Sequence, residues 1–188
     1  AVIMSVKKYL WLILLIGLGS AIFHGLALGN ILPWHIVYSD VLGFFDKAIA
    51  PGFPYLEKML EYPVLSGLFI QISGYFSFGS QWLYYWLSVL FLILCALLAT
   101  FIIYKTANLE ERKRILQFWI FTPSMSLFLV YNWDMLAILF TVAAFYFMRK
   151  EQWRYVAFFI ALGFSAKFFP IIYLAPLLFV VKPIYEKL

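Results

Sequence analysis

Apolar runs as long as a bilayer is thick, separated by short clusters of Lys and Arg, constrain this chain more than any other feature. Residues 9–28 and 81–104 contain no Asp, Glu, Lys or Arg. The hydrocarbon slab takes a helix of about 20 such residues. With 65% hydrophobic, 22% aromatic and 12% charged residues, the chain lies outside soluble globular usage and inside the multi-span membrane class. Its 188 residues leave room for about four to six crossings. The expected fold is therefore all-α: a single polytopic transmembrane helical bundle over residues 1–188.

The net charge of +5 does not point to nucleic acid. The basic residues sit in short clusters between apolar runs, which is how membrane orientation is encoded. Cys95 is the only cysteine and lies inside an apolar run, so the chain has neither a disulfide framework nor a cysteine metal site. Lys7 and Lys8 followed by an apolar run resemble a signal sequence, but the run reaches Leu28 and exceeds the usual h-region of about 7–15 residues. It reads as a retained anchor.

The first span is 9–28, where Gly17, Ala21, Gly25 and Gly29 recur every four residues and allow another helix close approach. His24, in the outer third, is either a buried proton carrier or a polar residue satisfied by a neighbour. A polar loop follows, and the apolar segment 62–78 then decides the topology. If it lies along the outer interface, Lys7, Lys8, Lys105, Arg112, Lys113, Arg114, Arg149, Lys150 and Arg154 are all inside. Only Lys47 and Lys58 are then outside before the C-terminal segment, the arrangement the positive-inside rule favours. Ser66, Ser73, Gly74 and Ser77 share one face of this segment, a mild amphipathicity suited to an interface-parallel helix.

The remaining spans follow as 81–104, entered through Trp82, Tyr84, Tyr85 and Trp86 at headgroup level, then 115–131 with a kink at Pro123, and 135–148. The segment 153–181 contains Lys167, Pro170 and Pro176, so a broken helix or an up-down pair is expected rather than one straight helix. The expected extracytoplasmic loop is 29–80, with the N-terminus cytoplasmic.

Three polar features converge on the outer side in this topology. The loop from Tyr38 to Leu65 holds Asp40, Asp46, Glu57 and Glu61, four of the nine carboxylates in the chain. Asn132-Trp133-Asp134 forms the next outer turn. Lys167 stands about 21 Å along its helix from Trp153, roughly two-thirds of the way across. An ionisable residue at membrane depth suggests a function, although a lysine near a helix end also snorkels. A carboxylate such as Asp40, held where an apolar groove meets water, is placed to act as a general base; otherwise it is a solvated loop acid. Trp34, Tyr38, Tyr55 and Tyr62 are suited to interface anchoring, and their faces also suit stacking on sugars.

Three stretches resemble the polytopic GT-C glycosyltransferases, especially the polyprenyl-phosphate-mannose-dependent mannosyltransferases. The first is Ser39-Asp40, the aromatic pair Phe44-Phe45, Gly52-Phe53-Pro54-Tyr55 and Glu61-Tyr62-Pro63. The second is Asn132-Trp133-Asp134, and the third runs from Ala166-Lys167 through Pro170 and Tyr173 to Pro176. Val64 stands where the family has a second proline, and family members are about twice this length, so the resemblance covers their N-terminal half.

The resemblance implies inverting transfer of a hexose, mannose above all, from a polyprenyl-phosphate donor to an acceptor on the extracytoplasmic face of the plasma or endoplasmic reticulum membrane. Asp40 is then the catalytic base, Lys167 the ligand of the donor phosphate, and Asp134, Glu61 and Tyr62 the residues that orient substrate. A divalent cation beside Asp134 is compatible with this chemistry, but no metal site is assigned. Segment 62–78 would frame the entry of the prenyl tail. The implied partners are the bilayer, the lipid-linked sugar donor and other membrane subunits. The competing expectation is a non-catalytic integral subunit or degenerate GT-C relative that scaffolds a complex through its small-residue face. A transporter is the third, disfavoured because the acids cluster in an outer loop and not near the midplane.

Overall fold

The computed structural model describes residues 4–175, and these are helical throughout apart from turns and one isolated bridge between Pro54 and Lys58. Helix α1 (Val6–Gly25) turns its small residues inward. Gly17 lies against Ile93 and Gly25 against Tyr85, and the Tyr85 hydroxyl donates to the Ala21 carbonyl at 2.6 Å. Gly29 lies beyond the helix and is exposed, so the packing stripe ends one turn earlier than the four-residue spacing predicts.

The long loop is folded. It forms three short helices, α2 (Trp34–Val37), α3 (Asp40–Gly43) and α4 (Phe45–Ile49). The Lys58 ammonium donates to the carbonyls of Lys47 (2.9 Å) and Ala50 (2.6 Å), closing the segment after α4 back onto it. Partial burial lowers the Lys58 pKa.

Helix α5 (Val64–Phe76) reverses the expected use of its polar face. Ser66, Gly67, Ile70, Ser73 and Gly74 are buried, while Val64, Ile72, Tyr75 and Phe76 are exposed. The small face packs on protein because it admits close backbone approach: a Cβ on Gly74 would stand 2.4 Å from the Ala48 carbonyl oxygen. Ser66 Oγ donates to Ala166 O at 2.7 Å.

Helix α6 (Gln81–Thr106) is begun by Ser80, whose side chain accepts from the Leu83 amide. Of its entry aromatics, Trp82 and Trp86 are exposed but Tyr84 and Tyr85 are fully buried, so only the tryptophans suit headgroup anchoring.

The segment expected as one kinked span over 115–131 is two helices. Helix α7 (Leu109–Ile115) opens with an Asn108–Glu111 capping box, and a π-helical turn follows at Leu116–Ile120. The chain then breaks, and α8 (Pro123–Phe128) begins afresh. Pro123 is not inside a helix here. It sits at the first helical position, where its missing N–H has no partner to lose, and extended Thr122 caps it by accepting from the Met125 amide.

Helix α9 (Asp134–Met148) runs back, and α10 (Trp153–Ala166) packs along it. At Lys167 the backbone is extended (φ −156°, ψ 149°), and a 3₁₀ turn (Phe169–Tyr173) doubles back against α9 and α10. The expected break in the last segment is therefore present as far as residue 175. Pro176 and the remainder of 176–181 lie outside the described residues.

Helices α1 and α6 are long and apolar enough to cross a membrane, while α5, α9 and α10 are shorter apolar helices. The outward faces of α1 and α6 are apolar, as is much of their buried faces. Outward positions carry Trp11, Leu15 and Ile22 on α1, and Leu90, Leu94, Leu98 and Phe101 on α6. Inward positions mix Ile13, Val89, Leu92 and Ile93 with Ser20, His24, Ser88 and Thr100. A soluble amphipathic helix instead carries polar residues on its outer face.

Candidate functional site

Asp40 is placed by its neighbours in sequence. Ser39 is extended and caps α3, its hydroxyl accepting from the Leu42 amide at 3.3 Å, so Asp40 becomes the first residue of that helix. The Val41 amide then donates to the Tyr131 carbonyl at 3.3 Å, which fixes the first loop against the turn that carries Asp134.

Both Asp40 oxygens accept a phenol. Tyr38 donates to Oδ1 at 2.9 Å and Tyr62 to Oδ2 at 2.8 Å. A carboxylate offers about four lone-pair sites, so each oxygen keeps one for another donor. Burial first, then the bond to Asp40 and its charge, push the Tyr38 phenol up to about 12. The same causes in the same order, with the Asp134 charge added, raise the more deeply buried Tyr62 further.

Asp134 begins α9 after an Asx turn in which its amide donates to Asn132 Oδ1 and its Oδ2 accepts from Asn132 Nδ2, both at 3.0 Å. Its Oδ1 accepts no directed hydrogen bond and is held by an ion pair with the Lys167 ammonium. That ammonium also stands 5.3 Å from the centroid of the Tyr62 ring. Tyr62 therefore lies between two sets of groups: its hydroxyl is on Asp40 and its ring is under Lys167.

Four of the five expected site residues, Asp40, Tyr62, Asp134 and Lys167, thus come together from three segments far apart in sequence. Glu61 does not join them. It is exposed and forms an ion pair with Lys47, whose hydrogen bond lowers its pKa. The chain bends at Glu61 and Tyr62, leaving Glu61 exposed while Tyr62 is buried. Of the other loop aromatics, Tyr55 donates to the carbonyls of Tyr62 (2.7 Å) and Pro63 (3.0 Å), and Trp34 packs edge-on against Tyr38.

Tyr38 as a donor to Asp40, and Asn132 as the brace of Asp134, are not apparent from residue type. The available signal is spacing, since each stands two residues from its carboxylate with a chain turn between.

An apolar groove of about 470 Å³ opens onto Asp134. It is lined by Met125, Phe128 and Leu129, by Met135 and Ile138, and by Phe118 and Trp119 of the π-helical turn, with Thr122 and Ser124 as further polar lining. The Trp119 Nε1–H donates to Thr100 Oγ1 at 2.9 Å, which pins the π-helical turn to α6. Among the described residues no three His, Cys, Asp or Glu side chains gather as a metal site. A cation at Asp134 would compete with Lys167 for the same oxygen. In comparison with known proteins, no family model matches the chain, and no curated protein or solved structure is significantly similar to it.

Proposed function

We propose that the chain is a multi-pass membrane glycosyltransferase site, which moves a hexose from a polyprenyl-phosphate donor to an acceptor hydroxyl on the extracytoplasmic face. The observation that carries this reading is Tyr62, which joins an oriented carboxylate to an ammonium group whose ion-pair partner, Asp134, lines a mostly apolar groove. The apolar outward faces of α1, α5 and α6 support lipid as the surrounding solvent.

In this reaction the acceptor oxygen attacks the anomeric carbon and its proton passes to Asp40. The bond from that carbon to the phosphate oxygen breaks, and the electron pair leaves on the phosphate. Asp40 suits the role because two phenols fix its direction while a lone pair on each oxygen remains free. A positioned base contributes about 10²- to 10⁴-fold.

Lys167 has three N–H donors, and the pairing with Asp134 leaves others to meet the departing phosphate in a site of low dielectric. Asp134, braced by Asn132, holds that ammonium in place. The groove between α8 and α9 takes the first part of the prenyl tail and excludes water from one side of the reacting groups.

The reading is tested by donor binding and by topology. Purified chain in nanodiscs should bind polyprenyl-phosphate mannose, with affinity lost in Lys167→Met; equal binding by both would remove Lys167 from the donor site. A membrane-impermeant thiol reagent applied from outside should label Leu56→Cys and leave Asn108→Cys untouched. Labelling of residue 108 would reverse the topology and place Asp40 on the wrong face.

A further inference from the structure

His24 is buried near the end of α1, 4% exposed, and both of its ring nitrogens face backbone carbonyls. Nδ1 is 3.0 Å from the oxygen of Val37 and Nε2 is 2.9 Å from that of Leu127. A carbonyl oxygen only accepts, and a neutral imidazole has one N–H and one lone pair. Both contacts are therefore hydrogen bonds only when each nitrogen carries a proton; in either neutral tautomer, one lone pair points at a carbonyl oxygen.

The two carbonyls belong to the segments that build the candidate site. Val37 closes α2, and Tyr38 and Asp40 follow within three residues. Leu127 lies in the last turn of α8, and the next turn supplies the Tyr131 carbonyl that accepts from the Val41 amide. Both oxygens and the ring itself lie at helix C-terminal ends.

We propose that His24 is a positioning residue whose doubly protonated ring ties the Asp40 segment and α8 to α1, and whose loss of one proton loosens Asp40 in its site. That Asp40 loosened in this way loses catalytic effect rests on the glycosyltransferase reading; the tie itself does not.

The titratable groups around the ring are few. The Tyr131 ring packs edge-on at 5.7 Å. Tyr38 and Asp40 follow Val37, with the Tyr38 hydroxyl committed to Asp40. From α6, the Tyr85 hydroxyl is committed to the Ala21 carbonyl. Helix α8 brings no titratable side chain, and His24 is in no salt bridge among the described residues. The ring's own protons are thus the variable that the two carbonyls sense.

The chain has two histidines, so His35→Gln leaves His24 as the single imidazole signal. The experiment records the ¹⁵N resonances of that ring, in the full chain in nanodiscs, from about pH 5 to pH 8, together with the exchange rate of the Val41 amide corrected for intrinsic base catalysis. Val41 protection should fall by about tenfold or more as the ring passes from two protons to one, the worth of one charge-assisted hydrogen bond.

His24→Phe should show the unprotected rate at every pH. If that variant fails to fold, the titration of the native ring carries the test alone. Protection that does not change while the ring loses a proton would overturn the proposal, as would a ring that keeps one protonation state across the whole range. Neither readout needs sugar transfer, so an inactive chain with a coupled His24 would contradict only the glycosyltransferase reading.

Discussion

The hydroxyl of Tyr62 donates to Asp40 Oδ2 at 2.8 Å across 22 positions of sequence, and Tyr62 is largely buried where it does so. The bond joins the end of the first loop to its beginning and leaves the carboxylate with a fixed direction. Tyr62→Phe keeps the ring under Lys167 and removes only the donor. A hydrogen bond to a charged group is worth about 1.5–3 kcal/mol. The expected outcome is a fall in kcat of about 10- to 100-fold with little change in donor KM. A change confined to KM would show that Tyr62 binds substrate and does not orient Asp40.

Lys167 and Asp134 separate function from stability. Their side chains are 32% and 37% exposed, and a pair open to that extent contributes no more than about 1 kcal/mol to folding. Lys167→Met should therefore leave the thermal unfolding midpoint close to that of the native chain while sugar transfer falls about 10²-fold or more. Glu61→Gln is the contrast. It breaks the exposed pair with Lys47, outside the cluster, and transfer should stay within about twofold of native. Equal losses in both variants would mean that the assay reads general damage.

The phenols predict an alkaline limit. Tyr38 titrates near 10.0 when unfolded and at about 12 when folded, and Tyr62 is raised in the same direction. A folded value above the unfolded one stabilises fully below the unfolded value. That stabilisation is lost as pH rises from about 10 through the folded value. Unfolding followed by circular dichroism should steepen above about pH 10 in the native chain and less so in the Tyr38→Phe, Tyr62→Phe double variant. Identical alkaline curves would show that the two hydroxyls are not buried against Asp40 as described.

Glycine substitutions test the packing independently of chemistry. A methyl on Gly74 meets the Ala48 carbonyl at 2.4 Å, whereas one on Gly19 meets nothing within 4 Å. Gly74→Ala should destabilise by about 1–3 kcal/mol, the usual range for overpacking, through separation of α4 from α5. Gly19→Ala should lie within about 0.5 kcal/mol of native. A tolerated Gly74→Ala would mean that the loop does not dock on α5 as described.

Much of this arrangement was legible in the residues. The two longest apolar runs correspond to α1 and α6, and Asp40, Tyr62, Asp134 and Lys167 were readable as a set from the resemblance. The direction of a side chain was not. Ser66, Ser73 and Gly74 have the spacing of a polar face, but spacing does not say whether that face meets water or protein, and here small size decides for protein. Pro123 marks a break without saying whether it bends one helix or starts another; Thr122, a good cap immediately before it, favours a new start. His24 between two carbonyls was beyond sequence, because Val37 and Leu127 contribute only backbone.

The most direct measurement is sugar transfer in membranes from cells expressing the chain, with radiolabelled polyprenyl-phosphate mannose and glucose as donors and Asp40→Asn beside the native protein. The substitution keeps the size of the side chain and removes its capacity as a base. Transfer by the native chain, with mannose preferred and a loss of about 10²-fold or more in Asp40→Asn, is the expected result. Equal transfer by both would contradict the assignment of Asp40, and no transfer by either would contradict catalysis by this chain and favour a scaffolding subunit.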